Sequence, residues 1–187
     1  MAMNRRDALK SMVLMMGGTM VGASVILTGC APEDRIEGLE FSERDIAFLD
    51  EIGETIIPAT DTPGAKAVGI GSFIVLMVKD TYNKEQQEIF VEGLNNLRKE
   101  FNDQTGTDFV EASQEERTNF LNQVNQKAQA EAADREGPHY IDMLKDLTVL
   151  GYFTSEIGAT KALRYVETPG RYDPCVDYEK GDKVFAI

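Results

Sequence analysis

The sequence predicts an all-α, single-domain bundle of about five to six helices with a loop-like C-terminal tail, and three observations predict it. From Phe41 onward, apolar residues recur mostly at the three- and four-residue spacing of one helical face. Serine caps and proline or glycine breakers punctuate those stretches, at Ser42, Pro58, Ser113 and Gly137-Pro138. Alternating and β-branched runs, which strands favour, are scarce.

Ser42 is a good N-cap with Asp45 at the third helical position, and Phe41 and Ile46 stand where a hydrophobic staple would place them. The stripe Ile46, Leu49, Ile52, Glu54, Ile56 and Ile57 continues this first helix until Pro58, which has no backbone N–H to carry it further. Thr60-Asp61-Thr62-Pro63-Gly64 reads as a turn. Residues 69–79 form a short, nearly all-apolar helix, and such a helix is expected to be buried. Ile89, Phe90, Leu94, Leu97 and Phe101 mark a third helix over about residues 84–102. Ser113 with Glu116 is a capping box opening a fourth, whose Phe120, Leu121, Val124 and Ala128 face inward. Its far half, residues 126–136, is polar and expected to fray or project. After Gly137-Pro138, the stripe Tyr140, Met143, Leu144, Leu147, Leu150 and Gly151 gives a fifth helix with proline near its first turn. A shorter helix is expected over residues 155–165, and the tail from Pro169 reads as loop with room for a small strand pair.

Ahead of this domain stands an export signal. Asn4-Arg5-Arg6-Asp7-Ala8-Leu9-Lys10 is charged, the stretch from Ser11 to Pro32 is not, and within it lies Leu27-Thr28-Gly29-Cys30. A transmembrane anchor needs about 20 predominantly apolar residues, whereas Met12 to Leu27 is shorter and diluted by Gly17, Gly18, Thr19, Gly22 and Ser24. An ordinary secretory signal accounts for the positive start but gives no reason for the cysteine. The Leu-Thr-Gly-Cys run resembles a bacterial lipobox, in which the cysteine thiol, here Cys30, receives a diacylglyceryl group and becomes the first mature residue. Arg5-Arg6 with Leu9 and Lys10 resembles the twin-arginine motif that directs folded proteins to export. It departs from that motif at Asn4, where Ser or Thr is usual, and at Ala8, where a large apolar residue is usual; paired arginines also occur in Sec signals. The expected organisation is a signal peptide over residues 1–29, a lipidated tether over 30–40 and the helical domain over 41–187. The expected location is periplasm-facing and membrane-anchored. Ala31 lacks the acidic side chain that retains lipoproteins in the inner membrane, which points to the outer one.

The formal charge is −13, and losing three basic and one acidic residue with the signal makes it −15. Such a surface repels phosphate backbones and anionic headgroups, which argues against nucleic-acid binding and against a polybasic membrane contact. Membrane affinity then falls to the lipid, and two acyl chains hold stably where one does not. The chain has two cysteines. With Cys30 lipidated, Cys175 has no internal mate in an oxidising compartment, which leaves an intermolecular disulfide, a free thiol or a buried inert one. Its neighbours Asp173-Pro174 and Val176-Asp177 favour a surface turn.

Residues able to do chemistry are few. His139 is the only histidine, so a multi-histidine metal site or haem pair cannot be assembled within this chain; at Pro138-His139-Tyr140 it is expected to cap a helix or touch a partner. Glu111, Glu115, Glu116, Asp142, Asp146 and Glu156 fall at solvent-face spacings rather than as an acid and base pair. Gly69-Ile70-Gly71 is too short for a dinucleotide fingerprint, and only Met77 and Met143 lie in the mature domain, too few for a copper-type methionine box. No catalytic, cofactor-binding or metal-binding residue is assigned.

The informative cluster lies near the C-terminus. Tyr152, Phe153, Tyr165, Tyr172, Arg164 and Arg171 fall within residues 152–172, with Glu156 among them and Cys175 just beyond. Tyrosine and arginine concentrate where another protein buries a surface. Packing of the tail onto the chain's own helices accounts for the aromatics equally well.

The stretch Gly151-Tyr152-Phe153-Thr154-Ser155-Glu156-Ile157-Gly158-Ala159-Thr160, continuing through Pro169-Gly170-Arg171-Tyr172-Asp173-Pro174-Cys175, resembles the C-terminal signature of the gluconate 2-dehydrogenase subunit 3 family. A looser likeness reaches back to Phe41 through Ile56-Ile57-Pro58 and Thr62-Pro63-Gly64-Ala65. The resemblance implies a non-catalytic small subunit of a membrane-associated, FAD-dependent sugar or polyol dehydrogenase. It implies that the flavin sits in a large partner of the glucose-methanol-choline oxidoreductase type, often with a cytochrome c subunit, and that this chain's signal takes the folded flavoprotein through the twin-arginine translocase. The lipobox departs from the soluble signal common in the family and adds an anchoring role. The alternative is a free-standing lipoprotein that binds a small ligand in its bundle.

Overall fold

A computed structural model describes Ile36 and residues 39–135, 137–168, 170 and 175–186. The fold is all-α, as predicted. Helix α1, Glu43–Ile56, opens on the expected capping box: Ser42 Oγ accepts the Asp45 N–H at 3.3 Å, and the Asp45 carboxylate accepts the Ser42 N–H at 2.9 Å. Near its end Glu54 reaches across the following turn, one carboxylate oxygen accepting the Ala59 N–H and the other the Lys66 N–H, each at 2.9 Å. Those two bonds supply acceptors for the loop that Pro58 forces out of the helix. A 3-10 turn, Ala65–Val68, leads to Gly69, whose φ of 67° only glycine adopts without strain and which redirects the chain into α2, Ile70–Thr81.

Helix α2 corrects the sequence reading. It buries Ile70, Ile74 and Val78 on one line, while Phe73 and Met77 are half-buried and Leu76 is 56% exposed. An apolar stripe on its outer side is thus left facing solvent.

Helix α3, Lys84–Thr105, starts at an Asn83–Gln86 capping box and runs a turn beyond the expected end before Gly106 caps it. Buried Gln87 caps its neighbour: its amide NH₂ donates to the carbonyls of Val78 (3.0 Å) and Lys79 (3.3 Å), near the C-terminal end of α2, and its oxygen accepts the Ile36 N–H at 2.8 Å. Helix α4, Gln114–Ala130, has the predicted Ser113–Glu116 box. Its polar half does not fray before Ala130, because Ala128 is buried and Lys127 pairs with Glu100 at 2.6 Å.

Helix α5, Tyr140–Thr154, runs antiparallel to α2: Gly151 lies against Ile70 and Phe73, while Asp146 acts electrostatically on Tyr82 just past the end of α2. The short helix expected over 155–165 is helical only to Ala162, closing with a π-helical turn, Gly158–Ala162. Arg164–Tyr165 (β1) then pairs in parallel with Phe185–Ala186 (β2).

The core joins α1 to α5 through Leu49, Ile52, Ile74, Leu97, Val124 and Leu144. A row of edge-to-face rings crosses it, Phe48 to Phe109 at 5.1 Å, Phe109 to Phe101 at 4.8 Å and Phe101 to Phe120 at 5.1 Å. Phe109 comes from the loop between α3 and α4 and is fully buried, a core residue that periodicity does not reveal.

Candidate partner-contact site

The two sequence stretches that carry the family likeness meet in space. Gly151 has no side chain, which lets α5 approach α2; a Cβ there would come within 2.5 Å of Phe73 and 2.6 Å of Ile70. The next residue, Tyr152, is 1% exposed, and its hydroxyl donates to the Pro63 carbonyl at 2.6 Å, tying the end of α5 to the Thr62-Pro63-Gly64-Ala65 turn. Ser155 Oγ then donates to the Tyr152 carbonyl at 2.6 Å and accepts the Gly158 N–H at 3.0 Å, fixing the reversal after α5. Tyr152 is therefore corrected: it packs inside this chain instead of presenting a contact surface, because its hydroxyl finds its acceptor on the chain's own turn.

The rest of the cluster divides by position. Phe153, packed edge-on to Tyr152 at 5.1 Å, remains 37% exposed, and Glu156, Arg164 and Tyr165 lie on the surface. The Arg164 guanidinium stacks over Phe185 at 4.7 Å, and the Arg164 backbone N–H donates to the Val184 carbonyl at 2.8 Å, holding the C-terminal arm beside β1. Val176, Tyr178 and Val184 on that arm are all more than half exposed. Between the arm and Leu163–Tyr165 lies an open concavity of about 810 Å³. Cys175 is exposed and free. Arg171 and Tyr172 lie outside the described residues, as do Arg5, Arg6, Leu9, Lys10 and Cys30.

Titratable groups are built into structure. His139 caps α5, its Nδ1 accepting the Ile141 N–H at 3.2 Å, and burial, reinforced by Arg135, lowers its pKa and keeps the ring neutral. Burial pushes Tyr140 up to about 12, where it stays protonated against Gly93. One ionic cluster escaped the sequence reading. Glu51, almost fully buried in α1, receives Lys66 and Arg117, and Arg117 also lies over the Phe109 ring at 5.9 Å. Burial raises the Glu51 carboxyl, but the hydrogen bonds from Lys66 and Arg117 outweigh it and hold the group below its usual range. The only available signal was a carboxylate beside the Leu49 and Ile52 stripe. The cluster ties α1, the 3-10 turn and α4 together.

Among the described residues, no group of three or more His, Cys, Asp or Glu side chains is placed to hold a metal ion, and no helix is long and apolar enough to cross a membrane. What the geometry offers is a rigid scaffold with exposed aromatic and apolar side chains at the C-terminal end of α5 and on the arm.

No curated protein and no solved structure matches the chain. A family profile described as gluconate 2-dehydrogenase subunit 3 matches residues 43–170, from the first turn of α1 to just past β1. That span covers more than half of the chain and helices α1 to α5, including the Tyr152–Pro63 tie, and on this ground the chain belongs to the gluconate 2-dehydrogenase subunit 3 family.

Proposed function

We propose that this chain is the non-catalytic accessory subunit of a membrane-associated, FAD-dependent dehydrogenase, guiding the folded flavoprotein through export, stabilising it and anchoring it through lipid on Cys30. The observation that carries the reading is the family match across the whole bundle. The flavin and the substrate specificity belong to the large partner, of the glucose-methanol-choline type, and a cytochrome c subunit takes the electrons onward.

The export role follows from cofactor chemistry. A flavoprotein that binds FAD in the cytoplasm must cross the membrane already folded, so one twin-arginine signal, with Arg5, Arg6, Leu9 and Lys10, serves both chains. Phe153, Glu156, Arg164 and Tyr165, with Arg171, Tyr172 and Cys175, form the contact set. Replacing Arg5-Arg6 by Lys-Lys is expected to leave both this chain and the dehydrogenase in the cytoplasm, and Cys30→Ala to release the complex from membranes. Normal extracytoplasmic dehydrogenase activity in the first variant would overturn co-export, and unchanged membrane fractionation of the second, made without the partner, would overturn the anchor.

A further inference from the structure

Helices α2 and α5 lie side by side, and both leave apolar side chains on the outer surface. On α5, Leu150 is 45% exposed, Val149 46% and Phe153 37%, at helical spacings that share one face. On α2, Leu76 is 56% exposed, with half-buried Phe73 one turn before it and half-buried Met77 next to it. Phe73 reaches the space above Gly151, so the two stripes join across the helix pair. Scattered exposed apolar residues need no explanation, but four on adjacent helices, with half-buried Phe73 and Met77 beside them, make a continuous face of the kind that marks an interaction site.

Charge selects the occupant. Asp80 lies one turn past Leu76, Asp146 one turn before Leu150, and Glu156 just beyond the end of α5, all three exposed, while Lys79, also one turn past Leu76, pairs with Glu40 at 3.9 Å. A second copy of this chain would set these carboxylates against its own, in a protein already at −13. Anionic lipid headgroups would meet the same acidic rim, whereas membrane-surface helices carry Lys and Arg there. An apolar patch rimmed by basic side chains on another protein fits both features. The face also ends at Phe153, the first exposed residue of the C-terminal contact set.

We propose that the α2–α5 face is the main docking surface for the dehydrogenase subunit of the complex, which covers it with apolar side chains flanked by Lys or Arg. This rests on the reading of the chain as a dehydrogenase subunit. Leu76 and Leu150 then lie at the centre of the interface, and the C-terminal arm closes over its edge.

The test is affinity recovery of the tagged full-length chain from its own host after gentle membrane solubilisation. Bound dehydrogenase is identified by mass spectrometry and by substrate-dependent dye reduction. The double variant Leu76→Glu with Leu150→Glu is expected to recover at least about tenfold less dehydrogenase, the loss of one or two central contacts, while its own thermal unfolding stays at the wild-type temperature. Asp146→Lys, which removes no packing, is expected to weaken recovery most at low salt. Undiminished recovery by the variants alongside wild-type recovery overturns the docking face and leaves the subunit reading standing. A wild-type chain that brings down no dehydrogenase overturns both. Self-association or liposome binding that the double variant abolishes, with dehydrogenase recovery intact, assigns the face to a second copy or to lipid and overturns the proposal.

Discussion

Gly93→Ala separates helix propensity from packing, because the two predict opposite signs. In an exposed helix interior, glycine to alanine gains about 1 kcal/mol. Gly93 sits inside α3 and is buried against the first residue of α5: an added Cβ would collide with Cβ and Cγ of Tyr140 and come within 2.5 Å of Cδ1. A rotamer change can swing Cγ and Cδ1 aside but not Cβ, which is fixed to the Tyr140 backbone, so α5 must move away from α3. Overpacking at the upper end of its usual range costs about 3 kcal/mol, which leaves a net loss of about 2 kcal/mol after the propensity gain. With a denaturant slope of about 2 kcal/mol per molar, the urea midpoint of the purified protein falls by about 1 M. The assay is urea unfolding followed by far-UV circular dichroism, with Tyr140→Gly alone and combined. Tyr140→Gly removes Cβ, Cγ and Cδ1 together, so in the double variant the methyl group has room, the Gly93→Ala penalty shrinks and the two changes are strongly non-additive. A midpoint that rises in Gly93→Ala, or additive losses in the pair, would refute the close-approach argument.

Glu51→Gln is expected to destabilise the protein at neutral pH by about 3 kcal/mol, since it leaves Arg117 without its buried counter-charge; Lys66 adds little because its side chain is half exposed. The folded-state pKa of Glu51 lies below its ordinary 4.5, so the wild-type carboxylate stabilises fully above that value and loses its contribution as pH falls below it; urea midpoints from pH 7 to 3 should fall less steeply for Glu51→Gln, and parallel profiles would contradict this. Tyr152→Phe leaves the Pro63 carbonyl without its donor and is expected to cost about 1 to 2 kcal/mol in thermal or urea unfolding while recovery of the dehydrogenase is unchanged; lost recovery at full stability would return Tyr152 to the contact set. Cys175, exposed and unpaired among the described residues, is expected to form an interchain disulfide with the dehydrogenase; alkylation of the fresh complex followed by non-reducing electrophoresis should show a high-mass band that collapses on reduction, and complete alkylation of Cys175 would exclude it.

Periodicity and capping were sufficient for the helices because both are local. Ser42 with Asp45 and Ser113 with Glu116 satisfy backbone donors within one turn, so their chemistry is visible over a four-residue window. The family, too, was readable from the C-terminal stretch, because a motif is a linear pattern. Tertiary structure decided what the pattern was for. Tyr152 could have faced a partner or the core, and a carbonyl 89 positions earlier, on Pro63, settled it. Whether a carboxylate such as Glu51 is solvated or paired depends on Lys66 and Arg117, which are distant in sequence and near only after folding. The apolarity of α2 was plain, but a helix at the surface of a bundle has neighbours on only part of its circumference. The side left over, with Leu76 outward beside Leu150, exists only once α5 has packed against Ile70 and Phe73.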